Sequence, residues 1–444
     1  MLPIPDALDR LQTLLAHARH EGADAADAGY SAEASTNVSV RLGALEDVGR
    51  SESAGVGLRV FLGQRSASVS SSDLSPAALA TLAERAVAMA REALEDPYAG
   101  LAPEALLLRD TPPDLGLDDG EEPSPDTLRA HALAAENAAR AVAGVTNSEG
   151  GGAGAGRAIY ALATSTGFVR GYSGSSHSVS ASVIAGEGDT MQRDYAYHSV
   201  RRAADLEDAA AIGRRAGERA VARVGPIKLP SGPLPILFDP RVASSLIGHL
   251  LGAISGPSIA RATSFLLDKL GAQVFAPGIR IVEEPHRPSG LRSRPFDGEG
   301  LPTRARDIIA DGVLSGWLLD SASARQLGLA PTGHASRGGG VSTGNIYLAA
   351  GSATRDELLA AHPRALLVTE LIGMGVNAVT GDYSKGAAGF LVENGQITAP
   401  VAEVTIAGNL VDMFARTVPG DDLEFRRGMD APTLLIEGMT VAGA

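Results

Sequence analysis

No cysteine occurs in the 444 residues, which excludes disulfides and thiolate metal ligands and fits a reducing compartment. Positive charge is also short: 38 Lys and Arg stand against 52 Asp and Glu, for a formal net charge of −14. Duplex binding needs clustered cations that displace condensed counterions, so no nucleic-acid partner is expected. No apolar run approaches the length that spans a bilayer. The opening Met1-Leu2-Pro3-Ile4-Pro5-Asp6 has neither a basic region nor the apolar stretch of a secretory leader. The expectation is a cytoplasmic protein with no membrane partner. Apolar residues make up 44% of the chain, enough for more than one core at this length.

Asp6 to His20 spaces Leu8, Leu11, Leu14 and Leu15 as an amphipathic helix does. Val38–Leu42 and Val56–Phe61 read as strands that pair. Ser75-Pro76 and Ser124-Pro125 each join an N-cap hydroxyl to a proline in the first turn, opening helices that run to about Glu95 and Ala143. Between them, Arg109 to Pro123 reads as an exposed loop. Ile159 to Val200 reads as three or four strands and Leu206 to Val224 as a helix. Gly225 to Pro233, studded with Pro226, Pro230 and Pro233, is the best boundary. It divides an α+β N-terminal domain (1–225) from a C-terminal domain (226–444) that is mainly antiparallel β and barrel-like. There Ile236-Leu237-Phe238 is a short strand, Asp239-Pro240 caps a helix, and beyond Gly271 almost every segment reads as β. Asp311-Gly312 and Asn394-Gly395 are two-residue hairpin turns, and such a run of strands points to a closed or nearly closed sheet.

Most motif-like features have a plain structural reading. Gly150–Gly156 lacks the Gly-Lys-Ser/Thr ending of a phosphate loop and leads into a strand, so it reads as a flexible surface loop. His17 and His20 sit on one helix face without a third ligand nearby. Asp297 and Glu299 could hold a cation through oxygen, but a glycine turn, or a salt bridge to Arg292 or Arg294, is favoured. Ser384-Lys385 has the wrong spacing for a helical Ser-x-x-Lys pair, and Gly171-Tyr172-Ser173-Gly174-Ser175 fails the Gly-x-Ser-x-Gly elbow at its last position. No catalytic residue is assigned.

The most informative stretch is Leu371 to Met413. Its strand-forming runs flank Asn394-Gly395, and before them Gly373, Gly375, Gly381, Gly386 and Gly389 space a polar segment so that backbone or ligand can approach. This stretch closely resembles the TldD/PmbA family, on its PmbA (TldE) side. Asp189–Tyr195 (DTMQRDY), Thr263–Leu266 (TSFL), Pro295–Gly300 (PFDGEG) and Thr332-Gly333-His334 support the resemblance, which covers roughly 140–443.

The resemblance implies a two-protein peptidase, in which a metal-bearing TldD-like subunit pairs with a PmbA/TldE subunit to cut peptides, modified-peptide precursors and antitoxins among them. In the TldD subunit a His-Glu-x-x-x-His helix and a later Cys hold a zinc-like metal. The matching helix here, Ser244 to Gly256, has one histidine, His249, followed by Leu250, Leu251, Gly252 and Ala253. In either register, Gly248 with Ile254 or His249 with Ala253 or Ile254, a second ligand is missing. No metal or other cofactor is therefore expected in this chain, and the expected role is a non-catalytic subunit forming a heterodimer with a TldD-like partner. His249 reads as a core or interface histidine satisfied by a backbone carbonyl, or alternatively as a residue lining a shared cavity. An extended peptide substrate is expected along Gly373, Gly375, Thr380, Gly381, Asp382, Tyr383 and Ser384. The alternatives are a homo-oligomeric peptide-binding scaffold and an independent peptidase of unrecognised chemistry.

Overall fold

The computed structural model describes residues 1–443. In chain order its first half comprises α1 (Ile4–His20), β1 (Ala25–Arg41), β2 (Ala44–Leu62), β3 (Arg65–Ser71), α2 (Pro76–Glu92), α3 (Pro125–Arg140), β4 (Val145–Thr164), β5 (Val169–Ala185), β6 (Gln192–Val200) and α4 (Ala209–Ala222). The strands form one antiparallel sheet in the order β3-β2-β1-β4-β5-β6. Both Ser-Pro starts hold: Ser75 Oγ accepts the N–H of Ala78 and Ser124 Oγ that of Thr127, satisfying donors that a helix start leaves open.

Side chains alternate across a strand, and here one face carries two cores. Ala26, Ala28, Tyr30 and Ala32 of β1, with Ile159, Ala161 and Ala163 of β4, pack under α1 and α2. Farther along the same face, Val38, Val40 and Ala153 meet α3 and α4. On the opposite face Tyr160, Leu162 and Tyr172 pack against Phe296 and Leu301 of the second half.

Three expectations need correction here. β1 and β2 turn at Leu42-Gly43, both at positive φ, so Val38 faces Val48, and Val56 to Phe61 pair with Tyr30 to Ala25. The polar, exposed start of β2 hid half of that hairpin. Gly150–Gly156 is not a flexible loop but part of β4; a Cβ on Gly151 would lie 2.3 Å from the carbonyl oxygen of Ala132 in α3, so glycine there permits helix and strand to touch. The segment from Arg109 to Pro123 is not wholly exposed, because it buries Leu115 and Leu117.

The second half contributes β7 (Gly232–Pro233), β8 (Ile236–Phe238), α5 (Pro240–Ala253), α6 (Gly256–Ala260), β9 (Ile281–Glu284), β10 (Arg306–Ala310), β11 (Val313–Leu314), α7 (Ser321–Leu327), β12 (Asn345–Leu348) and α8 (Arg355–Ala360). It ends with β13 (Arg364–Ile372), β14 (Asp382–Glu393), β15 (Gln396–Asn409), α9 (Leu410–Ala415), β16 (Thr417–Pro419), β17 (Met429–Asp430), β18 (Leu434–Ile436) and β19 (Thr440–Ala442). An eight-stranded sheet runs β16-β18-β8-β13-β14-β15-β19-β7 and a five-stranded one β11-β10-β9-β12-β17. The larger sheet is mainly antiparallel and curls into a half-barrel that stays open, with β8 parallel to β13. Both hairpin turns form as expected, with Asp311-Gly312 and Asn394-Gly395 at positive φ.

The expectation of near-continuous β beyond Gly271 fails at α7, α8 and α9. Asp320, Thr354 and Asn409 cap these helices, but with six or seven residues each they are too short to display a helical period. α5 buries Leu246, Ile247 and Leu250 in the large core beneath the half-barrel. Charged groups tie the halves together, with Asp194 of β6 accepting two hydrogen bonds from Arg241 of α5, at 2.6 and 3.1 Å.

Candidate functional site

The site is built where α5 meets β14. Asp239 opens α5 by accepting the N–H of Arg241 at 3.0 Å, and the buried stripe of the helix leaves His249 on its half-buried flank. On β14 the alternation turns Asp382 and Ser384 outward and Tyr383 inward. The rings of His249 and Tyr383 meet edge to face, with centroids 6.0 Å apart. Lys385, two residues on and so on the same strand face as Tyr383, brings its ammonium within 6.0 Å of the Tyr383 ring centroid.

Both polar tips are buried without a hydrogen-bond partner among the described residues: His249 Nε2 and the Tyr383 hydroxyl. The backbone carbonyl expected to satisfy His249 is not there, because its ring faces Tyr383. Burial, and then the Lys385 charge, push the imidazole pKa down to about 4, while burial pushes the Tyr383 phenol up. The result is a neutral acceptor or donor next to a neutral donor, roofed by a cation.

Above this pair lies the β13–β14 connection. Gly373, Gly375 and Thr380 are exposed and Gly381 is buried. The room left by Gly375 is already filled by the chain itself. Ser384 donates its N–H to the Gly375 carbonyl at 2.7 Å, and a Cβ on Gly375 would lie 1.8 Å from the Ser384 carbonyl oxygen. The expectation that this glycine leaves space for a second backbone is thus corrected; Gly373 does face open space. Thr380 donates to Asp382 at 2.6 Å, and Asn409 Nδ2 donates to the Thr380 carbonyl at 2.9 Å and to Asp382 at 3.2 Å. These bonds from Thr380 and Asn409 hold the Asp382 carboxyl below its ordinary range. Around this rim Ile372 and Val379 are more than half exposed, and Met374 is 94% exposed. Lys385 and Asn409 are neighbours of these residues that the sequence reading did not group with them; the alternation after Tyr383 would have found the first, whereas only the fold brings the second close.

The remaining candidates separate. His17 and His20 lie on the outer side of α1. Asp297 is buried and accepts the N–H groups of Glu299, Leu301 and Ala335, closing the glycine turn. Glu299 accepts from Ser321, and its nearest guanidinium is Arg59 at 4.0 Å. The salt bridge to Arg292 or Arg294 does not form, since Arg294 is spent on Ser342. Burial pushes both carboxyls up. His334 is enclosed between Glu283 and Thr332, at 2.7 Å each. Among the described residues no group of three or more His, Cys, Asp or Glu is arranged to hold a metal.

Sequence profiles described as PmbA/TldA metallopeptidase domain 1, central domain and C-terminal domain match residues 26–90, 118–224 and 231–443. Metalloprotease PmbA of Escherichia coli O157:H7 is 43% identical over 422 residues, covering 95% of this chain and 92% of that protein. The chain belongs to the PmbA/TldD family. Among solved structures, a Bacteroides thetaiotaomicron protein described as a candidate modulator of DNA gyrase superposes with a TM-score of 0.92 at 27% identity, covering 98% of both chains. TldE from Thermococcus kodakarensis superposes with a TM-score of 0.86 at 21% identity, over 98% of this chain and 100% of that one, a likeness of fold. Domain 1 and the central domain of the PmbA/TldD profiles share one sheet here, since β1 and β4 pair along 14 residues.

A metallopeptidase family implies a metal, and the residues on α5 do not fit one. The helix offers one imidazole, the chain offers no thiolate, and the Lys385 ammonium, which adds to burial in depressing His249, would repel a cation as well.

Proposed function

We propose that this chain is the metal-free partner subunit of a TldD/TldE-type heteromeric peptidase, and that it helps shape the cavity in which a metal-bearing TldD-like subunit cuts peptides. The observation that carries the reading is α5: one imidazole, held neutral beside an ammonium, where a hydrolytic metal would need at least three ligands. The apolar rim of Ile372, Met374 and Val379 supports it, because such side chains clustered on a surface mark an interaction site. The zinc-like metal and the hydroxide nucleophile belong to the partner. His249, Gly373, Thr380, Gly381, Asp382, Tyr383 and Ser384 form this chain's side of the shared cavity, with Gly375 packed on Ser384 as part of its wall, and extended peptides bind there through main-chain pairing. The complex works in the cytoplasm.

The test mixes this chain with the TldD-like chain of the same genome. Light scattering on the eluting mixture should give one species, and peptide cleavage should appear only on mixing. Met374→Asp buries a charge in the contact and should weaken pairing by about tenfold or more while leaving the thermal midpoint of the isolated chain unchanged. Metal-dependent cleavage by this chain alone, or one bound zinc per chain after purification without added metal, overturns the reading.

A further inference from the structure

A second cleft, of about 450 Å³, opens where β6 and α4 meet the start of α5 and the segment Asp422–Ala431. Six arginines, two tyrosines and four acids, Asp239, Asp422, Glu424 and Asp430, line it, an arginine excess in a chain whose net charge is −14. Four of these arginines are spoken for. Asp194 holds Arg241, Glu207 holds Arg215 and Arg426, and Asp239 and Asp422 share Arg355.

The other two are not. Arg219 donates only to the Tyr195 carbonyl, at 3.3 Å. The Arg427 side chain donates to the Pro240 carbonyl and to the Tyr197 hydroxyl, both at 3.1 Å. Among the described residues no carboxylate lies within salt-bridge range of either guanidinium. Glu424 and Asp430, each three residues from Arg427, are engaged elsewhere: Glu424 pairs with Arg426, and Asp430 spends an oxygen on the backbone N–H groups of Arg426 and Arg427. Burial and the neighbouring Arg241 charge push the Arg219 pKa down to about 10 against the pull of the more distant Asp194 and Asp239, so its surroundings leave this guanidinium incompletely neutralised.

Between these cations Tyr195 and Tyr197 stack, with centroids 6.2 Å apart and planes 19° from parallel. Each is about 40% exposed, 42% and 40% respectively. Arg241 lies over the first ring and Arg427 over the second. Arginines that merely cement two domains end on buried carboxylates, as Arg241 does on Asp194; Arg219 and Arg427 end on carbonyls and a phenol at an open cavity.

We propose that this cleft binds a small organic dianion, its oxyanion end between Arg219 and Arg427 and its flat part on the Tyr195–Tyr197 pair. Two unpaired guanidinium groups match two negative charges, and their planar forks suit phosphate or carboxylate oxygens. The volume suits a small molecule. A phosphate monoester and a dicarboxylate share this chemistry, and the inference does not rest on the partner-subunit reading.

Titration calorimetry on the full chain tests it with phenyl phosphate, phenylsuccinate and inorganic phosphate. At least one ring-bearing dianion should bind at sub-millimolar concentration, and which of the two binds identifies the source of the charge. Arg219→Gln and Arg427→Gln should each weaken it by about tenfold or more, the loss of one charged hydrogen bond, while Arg219→Lys retains most of the affinity. Tyr197→Ser should bring the ring-bearing ligand down to the level of inorganic phosphate. On the wild-type chain alone, phenyl phosphate should bind more weakly at pH 5 than at pH 7.5, because its second ionisation lies near about pH 6. No binding of any probe at millimolar concentration overturns the proposal, as does binding that folded Arg219→Gln and Arg427→Gln chains leave unchanged.

Discussion

His249 shows how much a single side chain can report. Its pKa of about 4, against an ordinary 6.5, means that between those values the unfolded chain binds a proton that the folded chain refuses. Stability from the neutral ring is complete above pH 6.5 and drains away as the pH falls toward 4. His249→Phe should therefore flatten the fall in thermal midpoint between pH 7 and pH 4.5 by roughly a few degrees, read by scanning calorimetry; an unchanged slope would mean the ring is already solvated. Lys385→Met removes the second cause of the shift, so the His249 pKa measured by NMR titration should rise. The isolation of this histidine was legible in the sequence, because a helix with one ligand-type residue and a chain without cysteine can be counted. That the Tyr383 ring and the Lys385 charge lie beside it was not, because only the packing of β14 on α5 brings them there.

At the scale of elements, local chemistry was legible where the backbone demands a particular residue. Ser75-Pro76, Ser124-Pro125, Asp311-Gly312 and Asn394-Gly395 all formed the caps and turns their side chains favour. Glycine misled where it serves packing instead of turning. The α3–α4 contact is closed by Gly213, where a Cβ would sit 1.9 Å from the Ala135 carbonyl oxygen, and by Gly217, where it would sit 2.7 Å from that of Ala139. Neither glycine has positive φ, so the need is for proximity alone. Gly213→Ala should push the helices apart at a cost of about 1–3 kcal/mol. Urea denaturation should show a lower midpoint at unchanged m-value; a stability within error of wild type would mean that α4 slides freely on α3.

At the scale of the whole molecule, the junction between the two halves was invisible in the sequence, since its partners lie far apart along the chain. Arg241 and Arg223 converge on Asp194, and Arg223 continues to Glu370 of β13. Arg337 and Arg59 converge in the same way on Asp27 of β1. Burial alone would raise the Asp194 carboxyl, but the bonds and charge of Arg241, with Arg223 behind, hold it below the ordinary 3.8. A depressed carboxylate stabilises above that value and loses its contribution only as the pH falls through the folded pKa, so this junction is intact throughout the neutral range and fails only in strong acid. Asp194→Asn keeps the shape and removes the charge, leaving two guanidinium groups, each with a side chain no more than 12% exposed, without their central partner. The expected loss is about 3–5 kcal/mol, the range for breaking a buried pair. Because Asp194 and Arg241 stand on opposite sides of the junction, the damage should also uncouple the halves. Calorimetry should then resolve two transitions where the wild type shows one, and a single cooperative transition shifted only slightly would assign the cohesion of the molecule to the Phe296 contact instead.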